Sequence, residues 1–135
     1  MAQLWSASER GDARAVAALL DGDCTSVAVN HAGEWGATPL LVASQNGHSE
    51  VVSMLLAKQG IDVNQAEFNG ITPLFMASWQ GHAEVVSMLL AKQGVDVNQA
   101  NNNGVTPLYM ASRNGHSEVV SMLLLLVTSN ISLSA

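Results

Sequence analysis

The chain is short of several things that proteins of its length usually carry, and each shortage removes a class of function. Bases are few: five Lys and Arg stand against eleven Asp and Glu, for a net charge of −6. A nucleic-acid backbone needs a concentrated cationic patch, so no nucleic-acid partner is expected. Cysteine occurs once, as Cys24. A lone thiol closes no internal disulfide, which fits a reducing, intracellular and cytoplasmic setting. Aromatic residues make up 4% of the chain and apolar residues 48%, so a core has to be built mostly from Leu, Val, Met and Ala. Residues 1–15 hold Glu9, Arg10, Asp12 and Arg14 and no apolar stretch, unlike a signal peptide. The apolar run Met122–Val127 is far below the roughly 20 residues of a membrane span, and no membrane partner is expected. Phosphate-binding glycine loops are missing, and Cys24 has no evident activating base. No catalysis, metal or cofactor is expected.

What the chain does have is repetition. Blocks of 34 residues begin at Gly36, Gly70 and Gly104. The first two agree at 25 of 34 positions, and the third agrees with the second at 16 of 21 before the pattern stops at Leu124. A period of that length marks a stacked array, in which each unit buries its apolar face against its neighbours. Within the block from Gly70, Thr72-Pro73 is a helix start, with a hydroxyl to cap the first turn and proline at its first position. A short helix to Gln80 ends at Gly81. A second one follows over Glu84–Gln93, apolar nearly all round through Val85, Val86, Met88, Leu89 and Leu90, and so in need of cover on more than one side. Gly94 suits a left-handed position past its end. Asp96 through Gly104 reads as a turn-rich excursion.

These motifs, G-x-T-P-L, then A-S-x-x-G-H-x-E-V-V-x-M-L-L, then G-[IV]-D-V-N, resemble ankyrin repeats over residues 36–124. The resemblance implies an all-α solenoid of helix-turn-helix units joined by hairpin-like loops. The amino-terminal segment resembles a degenerate first repeat: Leu4, Ala7, Gly11, Val16, Leu19 and Leu20 align with Leu40, Ala43, Gly47, Val52, Leu55 and Leu56 at an offset of 36. The repeat domain is expected over 1–127, with units at about 2–35, 36–69, 70–103 and 104–127, and with 128–135 as a disordered tail. Three departures from the family stand out. The extra residue of the period falls in Ala57-Lys58-Gln59 and Ala91-Lys92-Gln93, where a longer second helix is expected. The family's histidine after Thr-Pro-Leu is Leu41, Phe75 and Tyr109 here. No polar closing repeat follows Leu124, so an exposed apolar end is expected, consistent with a fragment or with self-association through that end.

His48, His82 and His116 recur once per repeat at the turn between helices. Lacking a second ligand three or four residues away, they read as turn residues bonded to nearby backbone rather than as metal ligands. Glu50, Glu84 and Glu118 are first-turn acids. The informative residues are those that differ between copies, because stacking positions should be identical. The first two blocks differ at 37/71, 41/75, 42/76, 45/79, 46/80, 49/83, 61/95, 67/101 and 68/102. Positions 41, 42, 45 and 46 form one stripe of the first helix, expected to face outward.

By the resemblance, loop tips and first-helix faces line a concave groove that binds another protein. This places Glu34, Trp35, Ala37, Gln45 and Asn46 in the groove; then Phe68, Asn69, Ile71, Trp79 and Gln80; then Asn102, Asn103, Val105, Arg113 and Asn114. Large aromatics and arginine dominate binding hot spots. The expected function is a non-catalytic protein-interaction module. The alternative is a regulatory or substrate-recruiting fragment of a larger protein, such as an enzyme or ubiquitin ligase. The spacing of Leu56 and Leu90 to Asp-Val-Asn also resembles the site that asparaginyl hydroxylases modify in ankyrin repeats, which makes Asn64 and Asn98 candidate acceptors.

Overall fold

Three Thr-Pro pairs start three helices. In the structure, a computed structural model that describes residues 2–22 and 26–134, the hydroxyls of Thr38, Thr72 and Thr106 accept from the backbone N–H of Leu41, Phe75 and Tyr109 at 3.1–3.2 Å. Each proline follows at the first helical position, where its missing N–H costs nothing. The helices in chain order are α1 (Ala2–Arg10), α2 (Ala13–Leu20), α3 (Ser26–Val29), α4 (Pro39–Gln45), α5 (Ser49–Ala57), α6 (Pro73–Gln80), α7 (Ala83–Ala91), α8 (Pro107–Arg113) and α9 (Ser117–Ser134). No strand occurs among the described residues. The first helices α1, α4, α6 and α8 pack in one row and the second helices α2, α5, α7 and α9 in another. The core between the rows is aliphatic, with Val16, Leu40, Val52, Leu55, Leu74, Val86, Leu89 and Leu123 buried. The degenerate amino-terminal unit takes its place in the stack: Leu4, Ala7, Val16 and Leu20 join the same core. Cys24 lies outside the described residues.

Consecutive repeats are laced together by recurring hydrogen bonds. His48, His82 and His116 direct Nε2 at the carbonyls of Glu9, Gln45 and Trp79, 2.8–2.9 Å away. The histidines therefore bond not to their own turn but to the first helix of the preceding unit. Lys58 and Lys92 donate from Nζ to the Leu20 and Leu56 carbonyls. Asn30 and Asn64 bridge forward, donating to Gly60 O and Gly94 O while accepting from the N–H of Asp62 and Asp96. Lateral bonds of this kind fix the register of the stack, which apolar burial alone would leave loose.

The structure corrects two of the expectations. The second helices are not lengthened: α5 and α7 end at Ala57 and Ala91, and Lys58 and Lys92 are extended. The extra residue is absorbed in a turn closed by Ile61 N–H on Lys58 O, with Gly60 at φ 88°; extending Lys58 lets its ammonium reach the neighbouring repeat. The first-helix stripe does not all face outward, because Leu41, Val42 and Phe75 are buried. The backbone of α9 is helical to Ser134. No glycine or proline between 117 and 134 interrupts it.

Candidate protein-binding surface

The side of the array formed by loop tips and first helices is shaped by the loops between repeats. In the second loop Glu67 closes the tip by accepting from Asn69 N–H and Ile71 N–H at Oε1. In the third loop Asn101 does the same for Asn103 and Val105. The difference at 67/101 is thus two solutions to one loop closure and carries no information about a partner. Tips of adjacent loops are bonded in sequence, Phe68 N–H to Trp35 O at 2.8 Å and Asn102 N–H to Asn69 O at 2.9 Å.

Most of the residues expected at the groove are accessible. Trp35 and Phe68 are 65% and 77% exposed, and Asn69, Gln80, Asn102, Asn103, Arg113 and Asn114 are exposed as well. Ile71 is half-buried. Trp79 is 37% exposed and stands edge-on to the buried Phe75, with ring centroids 6.1 Å apart. Gln45 and Asn46 are exposed, Val105 is half-buried, and Ala37 is buried beneath its loop. Some of the polar groups are already engaged: Asn114 Nδ2 donates to Trp79 O, Asn102 Nδ2 to Phe68 O and Asn69 Nδ2 to Glu67. Trp35, Phe68, Trp79, Gln80 and Arg113 are among the members whose side chains make no described hydrogen bond or ion pair, and they offer the surface contact area.

Sequence comparison of the full blocks missed Trp5, Glu9 and Tyr109. Tyr109 takes the place of the buried Leu41 and Phe75 yet is 57% exposed, since no further first helix among the described residues covers it. Trp5 and Glu9 align with Leu41 and Gln45 at the offset of 36, so extending the variable stripe into the degenerate unit would have found them. Trp5 packs with Ala37, Leu41, Val42 and Met76 in a second apolar cluster, and its indole N–H donates to Ala37 O at 2.9 Å.

The conformations of the first loop follow from that tryptophan. A Cβ on Gly33 would lie 2.8 Å from Trp5 Nε1, so the position that carries Glu67 and Asn101 in later loops has to be glycine here. Without a side chain to close the tip, Glu34–Gly36 forms a tight 3-10 turn. Trp35 within it has φ 61°, the one positive φ of a non-glycine among the described residues. A bulky residue in the left-handed region is strained.

Among the described residues no three His, Cys, Asp or Glu side chains are grouped so that they could hold a metal ion. No helix among them is long and apolar enough to cross a membrane. A family model for ankyrin repeats (3 copies) matches residues 3–67 and 61–134. No curated protein matches the chain.

Proposed function

The chain belongs to the ankyrin-repeat family, whose members generally serve as protein–protein interaction modules, and on that premise we propose that it grips a partner protein along its loop tips and first helices. The observation that carries this reading is the exposure of three large aromatics, Trp35, Phe68 and Trp79, at loop tips and a first helix, on an array whose core is mostly aliphatic. A fully exposed ring of this size buried against a partner removes roughly 150–250 Å² from water, and Trp79, 37% exposed, correspondingly less. The contact residues in this proposal are Trp35, Phe68, Asn69, Ile71, Trp79, Gln80, Asn102, Asn103, Arg113 and Asn114, with Trp79 and Phe68 as anchors. The module acts without catalysis, in an intracellular setting, over a repeat domain of residues 1–127. The test is partner capture with Phe68→Ala and Trp79→Ala against wild type. A fall of at least tenfold, about 1.4 kcal/mol, supports the surface; capture unchanged in both variants contradicts it.

A second proposal concerns modification. Asn64 spends both ends of its amide on the next repeat, whereas Asn98 is exposed and makes no described bond of that kind. Of the two asparagines, Asn98 is therefore the acceptor for an asparaginyl hydroxylase. Incubation with such an enzyme should add one oxygen at Asn98 by mass spectrometry; oxygen at Asn64 alone, or at neither, contradicts it.

A further inference from the structure

Trp5, Trp35, Glu9, Glu34 and His31 line a cavity of about 510 Å³ at the amino-terminal end of this surface, a size in the range of small-ligand pockets. We propose that it receives an arginine side chain presented by the partner. The inference rests on the reading of this side of the array as a recognition face.

Two features of the cavity point to a planar cation. The first is its pair of indoles, whose faces attract cations through the ring quadrupole. The second is its charge. Glu9 and Glu34 are exposed and neither makes an ion pair among the described residues; the described ion pair, Arg10 with Asp12, lies elsewhere. A guanidinium can stack on an indole while its edge donates to a carboxylate, and it sheds water more readily than an ammonium does. The chain's net charge of −6 favours the approach of a basic segment.

The pocket is also built in advance of any ligand. Trp5 is fixed by its bond to Ala37 O and by glycine at 33. Trp35 is held in its left-handed conformation from both sides. Gly33 N–H bonds to Ala37 O at the base of the loop, and Phe68 N–H bonds to Trp35 O at its tip. The corresponding residues in the later loops, Asn69 and Asn103, have no positive φ. Backbone strain of this kind persists where the surroundings over-determine it, and it clusters at functional sites.

The test uses the full chain, labelled with nitrogen-15, and the three indole N–H signals of Trp5, Trp35 and Trp79. The probe is the peptide acetyl-Gly-Gly-Arg-Gly-Gly-amide, with matched lysine and citrulline peptides. Saturable movement of the Trp5 and Trp35 signals by the arginine peptide, with Trp79 still, is the expected result. The citrulline peptide should move neither, and the lysine peptide should bind at least threefold more weakly. Glu9→Gln combined with Glu34→Gln should weaken arginine binding at least tenfold. Trp35→Gly should abolish it while raising the melting temperature, because glycine relieves the strain. Absence of a saturable shift at millimolar peptide, or equal responses to arginine and either control, overturns the proposal. Failure of the peptide with partner capture still lost in Trp79→Ala would remove the pocket and leave the recognition face standing. Peptide binding with capture indifferent to both Trp79→Ala and Phe68→Ala would do the reverse.

Discussion

The imidazole of His82 lies directly over Gly47: a Cβ built on that glycine would come within 2.8 Å of His82 Nδ1, while Nε2 bonds to Gln45 O at 2.9 Å. The same pairing joins His48 to Gly11 and His116 to Gly81. Gly115 occupies the equivalent place in the last turn, also at positive φ, but nothing stands within 4 Å of it. Alanine at the two sites therefore separates backbone strain from stacking. Gly115→Ala should cost about 1 kcal/mol from the left-handed backbone alone. Gly47→Ala adds a displaced histidine and should cost a further 1–3 kcal/mol. Equal losses in urea denaturation would show that the histidine is not held by the glycine.

Ser8, Ser44 and Ser78 recur at one position of the first helix and are fully buried, and no hydroxyl among them has a hydrogen-bond partner in the structure. Burying an unpaired hydroxyl costs on the order of 1–3 kcal/mol. Ser44→Ala and Ser78→Ala should each stabilise the array by about 1 kcal/mol, since alanine is also the better helix former. Ser112, at the same position in the last repeat, is exposed, and Ser112→Ala should change stability by no more than the few tenths of a kcal/mol that helix propensity gives. Destabilisation of the inner two variants would mean that the hydroxyls are satisfied after all.

Much of the fold is legible in the sequence because local and stacking signals coincide. Thr38, Thr72 and Thr106 announce helix starts chemically, and the recurring Val-Val-x-Met-Leu-Leu announces a face that needs a neighbour. Differences between copies do not mark outward-facing positions where the copies meet different neighbours. Leu41 belongs with Ala37 and Val42 to a cluster that Trp5 of the degenerate unit and Met76 of the next repeat pack against, and it is as buried as Phe75 although the residues differ. The exposure of Phe68 and Trp35 is legible, since their loop tips are free to vary. The pocket is not, because it depends on Trp5 displacing a side chain from position 33, a contact between residues 28 apart in the chain.

Self-association is expected from the last repeat. Tyr109 and Leu124 are exposed in this repeat, where their counterparts Leu41 and Phe75, and Leu56 and Leu90, are buried or half-buried, and the following Leu125 is 72% exposed. Sedimentation at high micromolar concentration should show species larger than the monomer, and Leu124→Asp with Leu125→Asp should return it to the monomer. A strict monomer that binds no apolar dye would contradict this.

The recognition surface is tested most directly by photo-crosslinking. A photoreactive amino acid is placed singly at positions 68 and 113 on the loop-tip and first-helix side, and at 53 and 87, exposed positions of the second helices. Each purified chain is irradiated in lysate of the native cell, and crosslinked bands are identified by mass spectrometry. The same partner should be crosslinked from 68 and 113 and from neither 53 nor 87. Crosslinks to one protein from 53 and 87, with none from 68 or 113, would place the interface on the opposite row of helices and contradict the account.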